Sequence, residues 1–363
     1  MFYHLLYSLR DIFFGFNVFR YITFRAVGAI ITAFGLSIVF GPVIVRLLKH
    51  FKIGEKIRSE EEVPGIYPMH KKKEGTPTMG GLIILVAILA STLLWARLDS
   101  PYILITIFTT IWLGIVGFID DYIKLTKKDG SGLSKTTKFT GQLILGLTVG
   151  IILFTDPNIG SKIYFPFFKN AVLDIGILYI VLVTFVIVGS SNAVNLTDGL
   201  DGLAIGCMIM VALCYTTISY IVGNSQISSY LFIQYVPGAG ELAIYCAAIV
   251  GASLGFLWFN SYPASVFMGD VGSLALGGGI GVVACCIKKE FLLPIVGGIF
   301  VFEAISVILQ VASFKIRRQR IFLMASFHHQ HQMKGWHESK IVTRFWIVGA
   351  ILALFTLMTL KLR

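Results

Sequence analysis

Apolar stretches of about 16–25 residues, long enough to cross hydrocarbon as helices, recur along the whole chain. They run over Thr23–Leu48, Thr78–Trp95, Tyr102–Tyr122, Thr140–Phe154, Ile175–Val188, Leu200–Val222, Ala243–Phe259, Val271–Ile287, Phe291–Phe314 and Ile341–Leu362. Barrel strands would be about ten residues long and would alternate apolar with polar positions, so these runs predict helices. The expected fold is an all-α polytopic membrane protein of about ten transmembrane helices, forming one integral membrane domain over residues 1–363. Ahead of the first run, Met1–Arg20 sets Arg10 and Asp11 among aromatics. It predicts an interfacial amphipathic helix, not a signal peptide, since no small-residue cleavage site follows a clean apolar core.

Composition agrees: 56% of residues are hydrophobic and 13% charged, against roughly 25% charged in soluble domains. The formal net charge of +11 would suit a nucleic-acid binder, but its placement argues otherwise. Lys49, Lys52, Lys56, Arg58, Lys71, Lys72 and Lys73 lie between the first and second runs. Lys124, Lys127, Lys128, Lys135 and Lys138 lie between the third and fourth, and Lys315, Arg317, Arg318, Arg320, Lys334 and Lys340 between the ninth and tenth. The intervening loops are poor in cations. This is the positive-inside asymmetry, which places the basic loops in the cytoplasm and both termini in the periplasm. It excludes nucleic acid as the partner and favours anionic lipids and phosphorylated substrates. The five cysteines all fall within apolar runs without metal-ligand spacing, which predicts packing roles.

The same loops carry nearly all the candidate chemistry. Asp120 and Asp121 close the third run. Carboxylates at a helix C-terminus face the negative end of the dipole and each other, so a divalent cation is expected there. Consecutive positions point about 100° apart on a helix, so one can touch a metal while the other orients a nucleophile or a lysine. Between the fifth and sixth runs lies Asn192–Gly202, with Asn195, Asp198 and Asp201 and no basic residue. Asp198 can N-cap the sixth helix with Asp201 in its first turn, but capping does not call for two asparagines and neighbouring glycines as well. Asp270, opening the eighth run, has the same capping alternative. Acids from four places on one face would repel unless metal-bound, and hard oxygen donors suit Mg²⁺.

Opposite in charge, His70–Gly81 combines Lys71, Lys72 and Lys73 with Gly75, Thr76, Pro77, Thr78 and Gly80. It is a candidate phosphate-approaching turn, although the first two lysines also suit a membrane edge. Gly130–Thr136 lacks the glycine that a Walker A loop places before its lysine. His328, His329 and His331 lack the spacing of a zinc-binding HExxH helix, so hydrogen bonding to an anionic substrate is the better reading. Glu303 lies within the ninth run, where a carboxylate is functional or paired; a hydrogen bond toward Gln310 through water is expected.

On these residues the chain resembles the bacterial phospho-N-acetylmuramoyl-pentapeptide transferases, within the polyprenyl-phosphate N-acetylhexosamine-1-phosphate transferase superfamily. The stretches that carry the resemblance are GTPTMGG (Gly75–Gly81), GFIDDY (Gly117–Tyr122), NAVNLTDGLDGLA (Asn192–Ala204), GFLWFNSYPASVFMGDVGSLALGG (Gly255–Gly278) and KGW (Lys334–Trp336). The resemblance implies an active site on the cytoplasmic face of the bacterial inner membrane, Mg²⁺ as cofactor and a homodimer. It implies transfer of phospho-MurNAc-pentapeptide from UDP-MurNAc-pentapeptide to undecaprenyl phosphate, forming lipid I and releasing UMP. By motif, Asp270 would ligate the metal, Asp120 with Asp121 beside it would deprotonate or position the lipid phosphate, and Lys73 would contact the diphosphate. Asn195, Asp198 and Asp201 would line the nucleotide side, Phe267 and Asn260 would lie near uracil, and Thr78, His328 and His329 would meet substrate. One stretch departs from the family pattern of three histidines, an aromatic and Glu: here it reads His328-His329-Gln330-His331-Gln332. Two rival readings are a sister enzyme moving GlcNAc-1-phosphate onto the same lipid and a cation transporter. The second predicts midplane acids in repeated halves, which the chain lacks.

Overall fold

The computed structural model describes residues 1–50, 75–127, 131–168 and 172–361. Among them, ten apolar helices follow the predicted runs. They are α1 (Ile22–His50), α2 (Gly81–Trp95), α3 (Pro101–Thr126), α4 (Lys135–Thr155), α5 (Leu178–Thr197), α6 (Leu203–Val222), α7 (Leu242–Asn260), α8 (Gly269–Cys286), α9 (Gly298–Arg317) and α10 (Glu338–Thr359). Nine are long and apolar enough to cross a membrane; α2, at 15 residues, is shorter. Large side chains such as Ile31, Phe185, Ile308 and Leu354 are 64–73% exposed, a cost in water that lipid removes. The chain is a multi-pass membrane protein.

The bundle is organised around α8 and α7. In α8, GSLALGGGIG keeps side chains small, so neighbours approach closely and its apolar core is buried on every side. It packs against α3, α5 and α2, while α7 packs against α1, α6 and α2; α4 covers α5, and α10 covers α6. A Cβ at Gly117 would overlap the Asp270 carbonyl, so this glycine lets α3 touch the first turn of α8.

Several expectations change. Met1–Arg20 is not one amphipathic helix: it breaks into Phe2–Leu6 and two 3₁₀ pieces, Tyr7–Leu9 and Phe14–Arg20. A two-stranded antiparallel hairpin, β1 (Lys162–Tyr164) and β2 (Val172–Asp174), interrupts the helices, pairing Lys162 with Asp174. The ninth run is split: Leu293–Val296 is a separate turn ending at Gly297, before α9 starts. The third run continues past Tyr122 to Thr126. Asp120 and Asp121 therefore sit more than a turn before the helix end, where the dipole has faded. Burial and mutual repulsion, not the dipole, are what their neighbours must offset.

Candidate active site

At one end of the bundle, α3 and α8 bring three carboxylates together. Asp120 and Asp121 are 3% exposed and Asp270 is 8% exposed. One oxygen from each lies within 4.8 Å of the others. The adjacent aspartates thus both reach one centre, which their spacing of about 100° on the helix allows but does not require. Asp270 starts α8, where the helix dipole favours an acid, but it caps nothing: Met268 holds the N-cap position. Instead Asp270 Oδ1 accepts from Asn195 Nδ2 at 2.6 Å, and the same amide donates to Ser273 Oγ at 2.8 Å. Asp120 Oδ1 accepts the Leu133 N–H at 2.7 Å, and Asp121 Oδ2 accepts the Val271 N–H at 3.3 Å. Gly269, at φ +72°, is pressed between Asp121 and Thr78, an approach that a side chain would block.

Two lysines complete the centre, and the sequence reading missed both as site residues. Lys124 Nζ lies 2.7 Å from Asp120 Oδ2, 3.3 Å from Asp121 Oδ1 and 3.0 Å from Asp270 Oδ2. Lys138 Nζ, from α4, bonds Asp270 Oδ2 and lies 3.6 Å from Asp120 Oδ2. The signal for Lys124 was present: it stands four residues after Asp120, the spacing of a helical ion pair. Lys138 is on another helix, and no local spacing points to it. Among the described residues, three carboxylates against two ammonium groups leave one negative charge in surplus. Oxygen donors this close, on separate residues, fit a hard divalent cation.

The remaining predicted residues divide. Asn195 lies in the last turn of α5, at the acidic centre, because the helix runs on through Asn192–Thr197. Asp198 and Asp201 stay outside the carboxylate trio among the described residues. Asp198 is the C-cap of α5, and Gly202 is the N-cap of α6, so neither aspartate caps the sixth helix. The Asp201 carboxylate accepts the Ala264 N–H at 3.0 Å. Asn260 is buried, accepting from Gly202 N–H at 3.0 Å and donating to the Val266 carbonyl at 2.9 Å. Phe267 joins Pro77 and Gly80 through main-chain bonds of 2.8 Å, which docks the start of α2 beside α8. Lys73, with Lys71 and Lys72, lies outside the described residues.

His328 and His329 lie on a short helix, Phe327–Met333. Glu303 from α9 receives its Phe327 N–H at 2.7 Å and its His328 N–H at 3.1 Å. The intramembrane acid is therefore paired, but with this helix and not with Gln310, which bonds the main chain of Ile321 and Phe322. His328 is buried against Gly199, and His329 Nδ1 is 2.8 Å from Gln332 Oε1. His331 stacks on Trp336 at 4.4 Å, occupying the place of the family's aromatic.

A bundle of membrane-crossing helices with an acid-and-lysine centre at one end defines a polytopic membrane enzyme, and residues 103–288 match the family model for glycosyl transferase family 4. Residues 73–85 match the phospho-N-acetylmuramoyl-pentapeptide-transferase signature 1. Over its full length the chain is 53% identical to the phospho-N-acetylmuramoyl-pentapeptide-transferase of Desulfotalea psychrophila, and the match covers all of both chains. The enzymes of the same name from Geobacter sp. strain M21 and Syntrophus aciditrophicus are 53% and 50% identical, again over the whole of both chains. The chain belongs to the phospho-N-acetylmuramoyl-pentapeptide-transferase family.

Proposed function

We propose that the chain transfers phospho-MurNAc-pentapeptide from its UDP carrier to undecaprenyl phosphate, making lipid I and releasing UMP. The observation that carries this reading is the buried trio Asp120, Asp121 and Asp270 beside Lys124 and Lys138, built from two of the family's motifs. Asp270, with Asp120 and Asp121 adjacent, would hold Mg²⁺, which when bound would supply neutralisation of the diphosphate's negative charge. Lys124 and Lys138 exchange carboxylate oxygens for phosphate oxygens as substrate enters. The lipid phosphate is largely a dianion at neutral pH, since its second pKa is near 6. It attacks the phosphorus bound to the sugar, and the bond from that phosphorus to the UMP oxygen breaks. Asp120, fixed by the Leu133 N–H, positions the acceptor. The route is one in-line step; trapping labelled phospho-enzyme without lipid acceptor would instead establish an aspartyl-phosphate route.

Asn195, Asp198 and Asp201 line the nucleotide side with Phe267 and Asn260; Lys73, Thr78 and His329 face substrate, and His328, buried against Gly199, supports that surface from behind. The acidic centre lies on the cytoplasmic side of the bacterial inner membrane, both termini are periplasmic, and the enzyme is a homodimer among membrane lipids. The basic loops support this orientation. The test is UMP release by purified protein with UDP-MurNAc-pentapeptide and, separately, with UDP-GlcNAc. Turnover should require the muramoyl substrate and stop when Mg²⁺ is chelated. Turnover with UDP-GlcNAc alone would assign the sister reaction.

A further inference from the structure

Asp198–Gly202 connects two membrane helices through a turn with two glycines, one of them, Gly202, at φ +78°. Such a turn has many accessible conformations, so bonds from outside must select one. Those bonds come largely from α10 and the segment before it. Glu338, in the first turn of α10, accepts the Asp201 N–H through Oε1 at 2.7 Å and is 9% exposed. Trp346 Nε1 donates to the Gly202 carbonyl at 3.1 Å. Ten residues before Glu338, His328 packs on Gly199. The stretch from His328 to Glu338 therefore grips the turn at Gly199 and at Asp201. Asp201 passes the restraint on, because its carboxylate takes the Ala264 N–H in the segment that leads to Asp270.

We infer that Glu338 is a positioning residue for the nucleotide-sugar site: its carboxylate holds the Asp201 main chain and so fixes the turn that carries Asp198. This rests on the transferase reading above. Glu338 lies in the first turn of α10, where the helix dipole favours an acidic side chain, and a hydrogen bond to a charged acceptor is about twice as strong as a neutral one.

The test compares Glu338→Ala and Glu338→Gln in the full-length enzyme, measuring UMP release against UDP-MurNAc-pentapeptide and undecaprenyl phosphate, with melting temperature alongside. The alanine variant should raise the KM for the nucleotide sugar about tenfold, the size of one hydrogen bond to a charged group. The KM for lipid should not move, and kcat should change much less. Glutamine keeps an acceptor oxygen and should restore most of the affinity. Hydrogen exchange gives a readout that does not depend on turnover: in Glu338→Ala the amides of Asp201 and Gly202 should exchange faster, while those in the middle of α8 do not. An unchanged KM, a glutamine variant as impaired as alanine, or unchanged exchange at Asp201 would each overturn the inference. Wild-type protein that releases no UMP would reject the transferase reading instead, and the exchange experiment would still decide the role of Glu338.

Discussion

Both ends of the helix bundle bury charge, but they do it in opposite ways. At the end away from the aspartates, Arg25 of α1 meets Glu241, just ahead of α7, in two parallel bonds of 2.7 and 2.6 Å. Both side chains are nearly inaccessible, and most spare valences are used: Glu241 accepts the Arg97 N–H at 3.1 Å, and Arg25 donates to the Trp95 carbonyl at 3.2 Å, while among the described residues its Nε meets no acceptor. Charge is balanced one to one, with fork geometry. At the other end three carboxylates share two lysines, and Lys124 remains 39% exposed at its side chain. The first arrangement is balanced in charge without a ligand. The second carries surplus negative charge and exchangeable cations, as a site for a metal and phosphates requires.

The largest effect that separates the two ends is on turnover. Asp270→Ala should lower UMP release by about 10²-fold or more, as loss of a group that organises charge in the reacting site does. Asp120→Ala should behave similarly. Stability should hold or rise, because each variant removes one of three mutually repelling acids. A melting temperature lowered in step with activity would mean that the centre is a structural brace like its counterpart. Robust turnover after Asp270→Ala would remove the metal assignment.

Next in size comes the opposite end, with the outcomes reversed. Glu241→Ala leaves the Arg25 guanidinium buried without its partner and should cost about 3–5 kcal/mol of stability in a reversible denaturation assay. The surviving folded protein should keep its kcat. Replacing both partners, Arg25→Met with Glu241→Met, should recover much of the loss, since an apolar pair avoids desolvating charge. Recovery will be incomplete because the Arg97 N–H and the Trp95 carbonyl lose partners. A double variant as unstable as the single would contradict this account of the pair.

The contrast also explains what the sequence made legible. Helix number and order follow from apolar runs, because lipid forces every spanning segment to satisfy its own backbone. The acidic motifs stood out because acids are rare in such a chain. Helix ends were harder to read: α5 continues through Ser190–Thr197, where polar side chains face protein partners, Gln142 and Asp270 among them, rather than water. Apolar periodicity is blind to that. The Arg25–Glu241 pair spans 216 positions and carries no local spacing signal. Lys138 was hidden for the same reason, and Glu303 was assigned the wrong partner because the short histidine helix that it caps is invisible to hydropathy.

The smallest predicted effect lies next to the buried brace, at the residue whose N–H Glu241 accepts, and sharpens what burial does. Arg97 and Asp99 form a second two-bond pair, at 2.6 and 3.2 Å, but with about half of the Asp99 side chain exposed. The hydrogen bonds from Arg97 hold the Asp99 carboxyl below its ordinary value. A lowered folded value means that the contribution is present above the usual carboxylate range near pH 4 and fades as pH falls through the folded pKa. Solvent screening limits it to under about 1 kcal/mol. Asp99→Asn should therefore shift stability slightly at pH 7, and the shift should shrink as pH falls below the usual carboxylate range, when measured side by side with wild type. A loss at pH 7 as large as that of Glu241→Ala would show that geometry alone, and not burial, sets the worth of an ion pair at this end of the bundle.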